Sequence, residues 1–334
     1  MDLNTATFIG VDSHTTEHTA LAINRFEEEK GHLRFENTKD GIIKFLGWIK
    51  EIDKENENVV LGLEGGGWEK NILSKNLSQE YDHVYEINPL FTKQRRSFGT
   101  RKDKSDKLDA KLIAEVLTRK LNQLPKIHPE NLTTERLLLK KYVWYWEHLV
   151  KETVRIKNQL KALEREESLA DEKEHKKGVD LVIRLRKQEL KSLEKLKKNL
   201  KTQLDPLIVK LGSNLTSMPG ISTVLAAKIM AYTGAIARFK RADSFAKYAG
   251  VVPDERSSGK TVRHVKANIG NRHLNSAIYF LAINQIRLDK RARAYFEKKV
   301  GEGKTKKHAL RCLMKRLACI VYGMMKSGQP YREE

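Results

Sequence analysis

Two short runs of apolar and β-branched residues near the N-terminus each end in a carboxylate. The run TATFIGVD ends in Asp12, and the run NVVLGLE ends in Glu64. Such runs are typical of buried strands. A carboxylate at the end of a buried strand is costly to desolvate unless a positive charge meets it. The sequence therefore predicts a sheet in which the acids at two strand ends meet a positively charged group.

A second pair of acids, Asp106 and Asp109, lies three residues apart where a helical pattern begins (SDKLDAKLIAEVL). At this spacing both side chains project from one helix face, about 5–6 Å apart. Together with Asp12 and Glu64 they make a set that we call the four acids, which predicts a divalent-metal site for phosphodiester chemistry. Taken singly, Asp106 has an alternative role as a helix cap, and Asp109 as a partner of the helix dipole.

The charge balance of the chain favours a nucleic-acid partner. Lysine and arginine number 64 against 43 acidic residues, which gives a formal net charge of +21. Such an excess attracts nucleic acid, although an anionic membrane surface or a ribosomal partner would fit it equally well. No apolar run reaches transmembrane length and no signal-peptide pattern is present, so we expect no membrane association. Cys312 and Cys319 are predicted to be buried thiols of a reducing cytoplasm, too few for a zinc site.

The chain of 334 residues is long enough for two globular domains and a connector. Residues 1–127 predict a mixed α/β domain, in which three closely spaced strands precede alternating helices and strands. Residues 128–212 predict two helices with apolar seams, typical of an antiparallel hairpin or coiled coil that joins subunits. Residues 213–334 are predicted to be mainly helical, and SMPGIS is typical of a helix–hairpin–helix turn that can hold a phosphate.

Ser257 and Ser258 precede Gly259 in a polar stretch between apolar helices, which predicts a loop. A serine beside a glycine is ordinarily a turn residue. The cations around this pair can bind a phosphodiester and lower the pKa of a hydroxyl, so a serine here is also a candidate nucleophile. The residues predicted to bind nucleic acid are Arg95, Arg96, Arg101, Lys102, Lys104, Lys260, Arg263 and Lys266.

In their order along the chain, these motifs resemble the DEDD transposases of the insertion-sequence-110 family, which includes Piv-type DNA invertases and bridge-RNA-guided recombinases. GVD, LEG, INP and KSDKLDA are similar to the family's RuvC-like (ribonuclease H-like) domain. SMPGIS, FAKYAGVVP, SSGK and IGNRHLNSAIY are similar to its C-terminal transposase domain. The chain departs from the family at Ser105, where Thr is usual, and in the EGGG run, which keeps the acid Glu64.

The resemblance implies that the four acids bind Mg²⁺ in a RuvC-like domain and that a C-terminal serine attacks DNA, which forms a serine–DNA covalent intermediate. The family's serine directly precedes a glycine, so the role falls on Ser258, with Ser257 as the alternative. The family places the acids of one subunit against the serine of another, which implies a homodimer and allows a tetramer in the synaptic complex. A structured non-coding guide RNA and a cytoplasmic, nucleoid-associated location in a prokaryote are implied as well.

The leading interpretation is a transposase, a site-specific DNA recombinase of an insertion sequence. A Piv-type invertase shares the chemistry and differs in the arrangement of its DNA sites. A RuvC-like structure-selective endonuclease is the alternative from another class, because metal-activated water would attack and Ser258 would not be needed. A non-catalytic nucleic-acid scaffold is disfavoured by the intact four acids.

Overall fold

The structure, a computed structural model, divides the chain into two compact units, Met1–Thr133 and Thr134–Glu334. For residues 69–71, 95–97, 254–258 and 261–265 it describes the backbone alone. The residues that it describes are 2–53, 58–64, 69–97, 105–252, 254–258, 261–265 and 270–332.

The first unit contains a five-stranded sheet in the order β3-β2-β1-β4-β5, with β1 in the centre. β1 pairs antiparallel with β2 and parallel with β4, and β5 continues the parallel part. The predicted mixed α/β sheet is confirmed. The elements are β1 (Thr7–Ser13), β2 (Glu17–Ile23), β3 (Glu29–Glu36), α1 (Lys39–Ile52), β4 (Val59–Glu64), α2 (Glu69–Glu80), β5 (Val84–Ile87), α3 (Pro89–Ser97) and α4 (Asp106–Lys120).

Both faces of this sheet are covered, which explains why β1 and β4 are almost wholly apolar. One face packs against Phe45 and Ile49 of α1, and the other against Ile113 and Leu117 of α4. Helix α4 lies directly on β1, because a Cβ at Gly10 would come within 2.1 Å of the Ala110 carbonyl oxygen. This close approach sets the first turn of α4 beside the end of β1.

The second unit is mostly helical, as predicted for the remainder of the chain. Helices α5 and α6 are long and antiparallel: their base joins the core of the unit, and their far half packs Ile156 and Leu160 against Val179 and Ile183. The elements are α5 (Thr134–Leu169), α6 (Lys173–Lys210), α7 (Thr223–Thr233), α8 (Ala242–Tyr248), β6 (Asp254–Ser258), β7 (Thr261–Val265), α9 (Arg272–Leu288), α10 (Lys290–Gly301) and α11 (Lys306–Ser327).

The segment around Ser258 is a pair of strands, so the prediction of a polar loop there is wrong. β6 and β7 are antiparallel, and Ser258 pairs with Thr261, which leaves Gly259 and Lys260 between the strands. A two-residue connection with glycine is a common hairpin link, and the β-branched residues of TVRHV favour a strand after it. We call β6 and β7 the serine hairpin.

Two further expectations from the sequence concern the burial of the two cysteines and the absence of a transmembrane helix. Cys312 and Cys319 are free thiols that are half-buried rather than buried. Within the part of the chain that the structure describes, none of the helices is sufficiently long and apolar to cross a bilayer.

Candidate active site

Asp12 and Glu64 lie at the same edge of the sheet. β1 and β4 are parallel neighbours, and the register pairs Val11 with Leu63, so the next residue of each strand is one of the acids. Asp12 is buried, with 8% of its surface exposed, and Glu64 is half-buried. The sheet therefore brings these two carboxylates to adjacent strand ends.

The other two acids enter from the first turn of α4. Ser105 caps this helix, since its hydroxyl accepts a hydrogen bond from the Leu108 backbone N–H at 3.2 Å. The alternative that Asp106 is the cap is therefore wrong. Asp106 instead accepts a hydrogen bond from the guanidinium of Arg34 at 2.9 Å. Asp109, one turn further on, is buried.

His14 joins Asp12 to Asp106. Its Nε2 atom lies 3.2 Å from Oδ2 of Asp12 and 3.7 Å from Oδ1 of Asp106. Its backbone N–H donates to Nδ1 of His18 at 3.2 Å. His14 is not among the residues predicted from the sequence, although it carries a signal there: a residue two positions after Asp12 in an extended chain points to the same side.

The charges of this site act on one another. Burial raises the pKa of Asp12, and His14 opposes that effect. The carboxylates of Asp109 and Asp106 raise the pKa of Asp12 further by repulsion. Both helix acids are therefore within electrostatic range of the strand acid, and a cation placed among them would relieve the repulsion.

Glu64 has its own hydrogen-bond donor. The hydroxyl of Thr92, on α3, lies 3.3 Å from Oε1 of Glu64 and 3.0 Å from the carbonyl oxygen of Pro89. Thr92 is buried. A threonine that follows an INP motif carries no sequence signal for this role, so its contribution emerges only from the packing of α3 against the sheet edge.

Asp12, His14 and Asp106 are arranged so that they can hold a metal ion. One ligand atom from each lies within 4.8 Å of the other two. Carboxylate oxygens are the ligands that Mg²⁺ prefers, and an imidazole nitrogen suits Mn²⁺ and other transition metals as well. The donor set therefore fits a hard divalent cation.

The predicted nucleophile lies in the other unit. Ser258 is the last residue of β6, Ser257 precedes it, and Arg263 lies on β7. Arg95 and Arg96 lie on α3, in the helix that carries Thr92. The predicted nucleic-acid contacts that fall outside the described residues are Arg101, Lys102, Lys104, Lys260 and Lys266.

Comparison with known protein families gives two matches, of which the first runs through the first unit into α5 and the second lies within the second unit. Residues 9–166 match the transposase model of the DEDD type of IS110. Residues 212–297 match the model described as transposase of the IS116/IS110/IS902 family. The first match contains all four acids, and the second contains the serine hairpin.

Similar proteins come from mobile elements and from an inversion system. The chain is 29% identical over 156 residues to an uncharacterised 43.6 kDa protein of insertion element IS110 from Streptomyces coelicolor. It is 34% identical over 119 residues to an uncharacterised 42 kDa protein of IS900 from Mycobacterium paratuberculosis. These alignments span 38% and 30% of those two relatives. The pilin gene-inverting protein of Moraxella bovis is 26% identical over 97% of each chain.

Proposed function

The chain belongs to the IS116/IS110/IS902 family of transposases, and on that premise we propose that it is a DNA recombinase that moves an insertion sequence. The observation that carries the proposal is the meeting of Asp12, His14 and Asp106 beside the buried Asp109. We further propose that the first unit is RuvC-like. Support comes from a central first strand and from acids at the ends of β1 and β4 and at the start of α4.

In this proposal the four acids hold Mg²⁺, and His14, whose Nε2 lies with Asp12 and Asp106, is a further donor. When bound, the cation supplies Lewis-acid polarisation of a DNA phosphate. Arg34 holds Asp106 by its hydrogen bond, and Thr92 donates to Glu64, so these two carboxylates are oriented before DNA arrives. Such preorganisation is the usual source of catalytic electrostatics, because the charges need not reorient during the reaction.

Ser258 is the proposed nucleophile, with Ser257 as the alternative. Its Oγ attacks a DNA phosphorus and loses its proton, the bond from phosphorus to the deoxyribose oxygen breaks, and that oxygen takes up a proton as a free hydroxyl. A second DNA hydroxyl then attacks the phosphoserine and restores the serine. The number of phosphoester bonds is unchanged throughout, so the exchange needs no ATP. Arg263, with Lys260 and Lys266, neutralises the charge that develops on the phosphate.

The assembly is also part of the proposal. The chain is taken as a RuvC-like domain (1–127), a coiled-coil hairpin for dimerisation (128–212) and a transposase domain (213–334). In a homodimer, or in a tetramer during synapsis, the acids of one subunit form an active site together with the serine of another subunit. A structured non-coding RNA from the same element selects the DNA sites, and the protein acts in the cytoplasm on the nucleoid.

DNA inversion is the second candidate, because the inverting proteins of Moraxella align over nearly the whole chain. Inversion uses the same bond changes, with two DNA sites in opposite orientation on one molecule. A structure-selective endonuclease remains the alternative from a different class. It differs in chemistry, since water would replace Ser258 and no protein–DNA bond would form.

The metal-site proposal is tested with Asp109→Asn. The probe is a DNA duplex that contains the sequence on both sides of this gene, supplied with RNA transcribed from the same DNA. We expect Mg²⁺-dependent strand exchange to fall by about 100-fold or more, the scale on which the loss of one preorganised group acts. The rise in thermal midpoint on addition of Mg²⁺ should shrink, because a ligand that binds only the folded state stabilises it.

Asp40→Asn is the matched control, because Asp40 is also a first-turn acid but belongs to α1, and it is exposed. This variant should keep both the exchange rate and the response to Mg²⁺. Removing the carboxylate of Asp109 also removes a repulsion that raises the pKa of Asp12. Wild-type exchange by Asp109→Asn would contradict the metal site.

A further inference from the structure

The two ends of the segment that contains the serine hairpin are in direct backbone contact. Gly250 precedes this segment, and Gly270 follows it. A Cβ placed on Gly270 would lie 2.7 Å from Cα and 2.8 Å from N of Gly250, and the φ of Gly270 is +121°. Only glycine fits such a position without strain. We call this contact between Gly250 and Gly270 the root of the serine hairpin.

The side chains of Tyr248, Asn271 and Asn275 form hydrogen bonds at this root. Asn275, on α9, donates its amide to the carbonyl oxygens of Ala249 at 3.0 Å and of Gly250 at 2.9 Å. The backbone N–H of Asn271 donates to the carbonyl oxygen of Tyr248 at 2.7 Å. The side chain of Asn271 donates to the Tyr248 hydroxyl at 3.2 Å. Both asparagines come from the IGNRHLN motif, for which the proposed chemistry has no role.

The root is anchored in the core of the second unit. The Tyr248 hydroxyl donates to the carbonyl oxygen of Tyr232 at 3.1 Å. Ala249 and Val251 on one side of the root, and Leu274 on the other, are buried in the same apolar cluster. The Asn271 side chain also caps α9, because its Oδ1 accepts from the backbone of His273 and Leu274. The root is therefore joined on both sides to the buried core of the unit.

We propose that Tyr248, Asn271 and Asn275 form a clamp that positions the serine hairpin, and that they are positioning residues for the attack by Ser258. The proposal rests on the proposed function. Fixing both ends of a chain segment removes much of its conformational freedom, which restricts the positions that the serine hairpin can take. A nucleophile that is misplaced by about 1 Å can lose about 100-fold in rate. In the proposed function none of these three side chains contacts DNA or metal.

The test compares two tyrosine variants that each lose one hydroxyl. Tyr248→Phe removes the clamp bonds to Tyr232 and Asn271. Tyr322→Phe is the matched control, because its hydroxyl donates to the carbonyl oxygen of Phe239 at 2.9 Å in the same unit and accepts from Lys326, whereas its hydrogen bonds do not involve Tyr248, Asn271 or Asn275. The first readout is the rate of serine–DNA adduct formation at saturating concentrations of the duplex and RNA described above. The second is hydrogen exchange of the amides of β6 and β7.

For Tyr248→Phe we expect a fall in adduct rate of about 10- to 100-fold, with unchanged DNA affinity and faster amide exchange in the serine hairpin. Tyr322→Phe should change neither readout, whatever it does to the thermal midpoint. Asn275→Asp keeps the shape of the side chain but turns a carboxylate toward two carbonyl oxygens, so it should reproduce the effects of Tyr248→Phe. A merely structural role predicts a lower midpoint with a wild-type adduct rate in the folded protein, and that result would overturn the clamp.

Failure of the proposed function is separable from failure of the clamp. If wild-type protein forms no serine–DNA adduct, the nucleophile proposal fails, and hydrogen exchange alone decides the clamp. Unchanged exchange in both clamp variants overturns it. Faster exchange confined to the serine hairpin supports it.

Discussion

At the scale of single residues, Glu147 on α5 shows how the second unit stabilises a charge with little exposure. Its carboxylate lies 3.0 Å from Nζ of Lys228 and 2.9 Å from Nδ1 of His273, and it accepts a hydrogen bond from the Tyr232 hydroxyl at 2.7 Å. Burial works against ionisation, but the hydrogen bonds from Tyr232 and Lys228 outweigh it and lower the pKa of Glu147. Burial and the bond to Glu147 raise the pKa of Tyr232.

This lowered pKa makes the stability of the second unit depend on pH. The ordinary pKa of a glutamate is 4.5, so the stabilisation is complete above that pH and is lost as the pH falls through the lower folded-state pKa. Glu147→Gln is expected to reduce the free energy of unfolding near neutral pH by about 1 to 3 kcal/mol, the scale of hydrogen bonds to a charged group. The reduction should shrink as the pH falls below 4.5 and through the lower folded-state pKa of Glu147.

Urea unfolding at a series of pH values measures this difference, with Glu297→Gln as the control because Glu297 is exposed on α10. A reduction that stays constant over the whole range would mean that the charge of Glu147 contributes nothing and that packing alone explains the loss.

Single residues also show what sequence reasoning can reach. Asp12 and Asp106 were predicted as site residues because a buried acid at a strand end and an acid pair at a helix start are local patterns. Thr92 was missed because it acts on Glu64, which only the fold brings near, whereas His14 was missed although Asp12 lies two residues before it. Ser105 shows the same limit. Its role as the helix cap is a local feature of the sequence. The hydrogen bond from Arg34 to Asp106, in contrast, depends on where the sheet places Arg34.

At the scale of elements, α5 and α6 cover most of their own apolar seam. Leu139 and Val143 enter the core of the second unit, and Ile156 and Leu160 pack against α6. The helical period and the length of the apolar pattern predicted these two helices, because the spacing of the leucines places them along one face of each helix. The sequence could not separate leucines that a helix buries within its own unit from those it leaves exposed. The most exposed leucines lie toward the far end of the pair: Leu169, Leu181 and Leu185 are 73%, 51% and 55% exposed.

Dimerisation, if the hairpin mediates it as proposed, should use these exposed leucines. The double variant Leu181→Glu, Leu185→Glu places two charges one helical turn apart at the contact between subunits. Dimerisation would then have to bury both charges, which is energetically unfavourable. We expect sedimentation to show loss of the oligomer with unchanged helicity. Val209→Glu is the control, since Val209 is 76% exposed near the other end of α6. A monomeric wild type, with nucleic acid and without, would contradict hairpin-mediated dimerisation.

The serine hairpin marks the limit of prediction for elements. Its residues are polar and short of apolar alternation, so the pattern favoured a loop. The structure pairs them because two strands satisfy each other's backbone groups, a gain that no single segment reveals. In contrast, β1 and α4 were predicted close to their observed bounds, because each has a strong period of its own.

At the scale of the whole molecule, the proposed chemistry needs both units. The four acids belong to the first unit, and Ser258 belongs to the second. The excess of 64 basic over 43 acidic residues suits a protein that holds long polyanions, and it makes the assembly sensitive to salt. Family membership explains why these parts occur in one chain, whereas the covalent link between serine and DNA is the claim that separates a recombinase from a nuclease.

The most direct measurement of that claim is the identity of the residue that becomes linked to DNA. Wild type, Ser258→Ala and Ser257→Ala are each incubated with the flanking-sequence duplex, its transcribed RNA and Mg²⁺, and the adduct is digested and located by mass spectrometry. The account predicts a phosphoserine-linked nucleotide at Ser258 in wild type and in Ser257→Ala, and neither adduct nor strand exchange in Ser258→Ala. Strand exchange at the wild-type rate by Ser258→Ala, or DNA cleavage by wild type that leaves only protein-free ends, would contradict it.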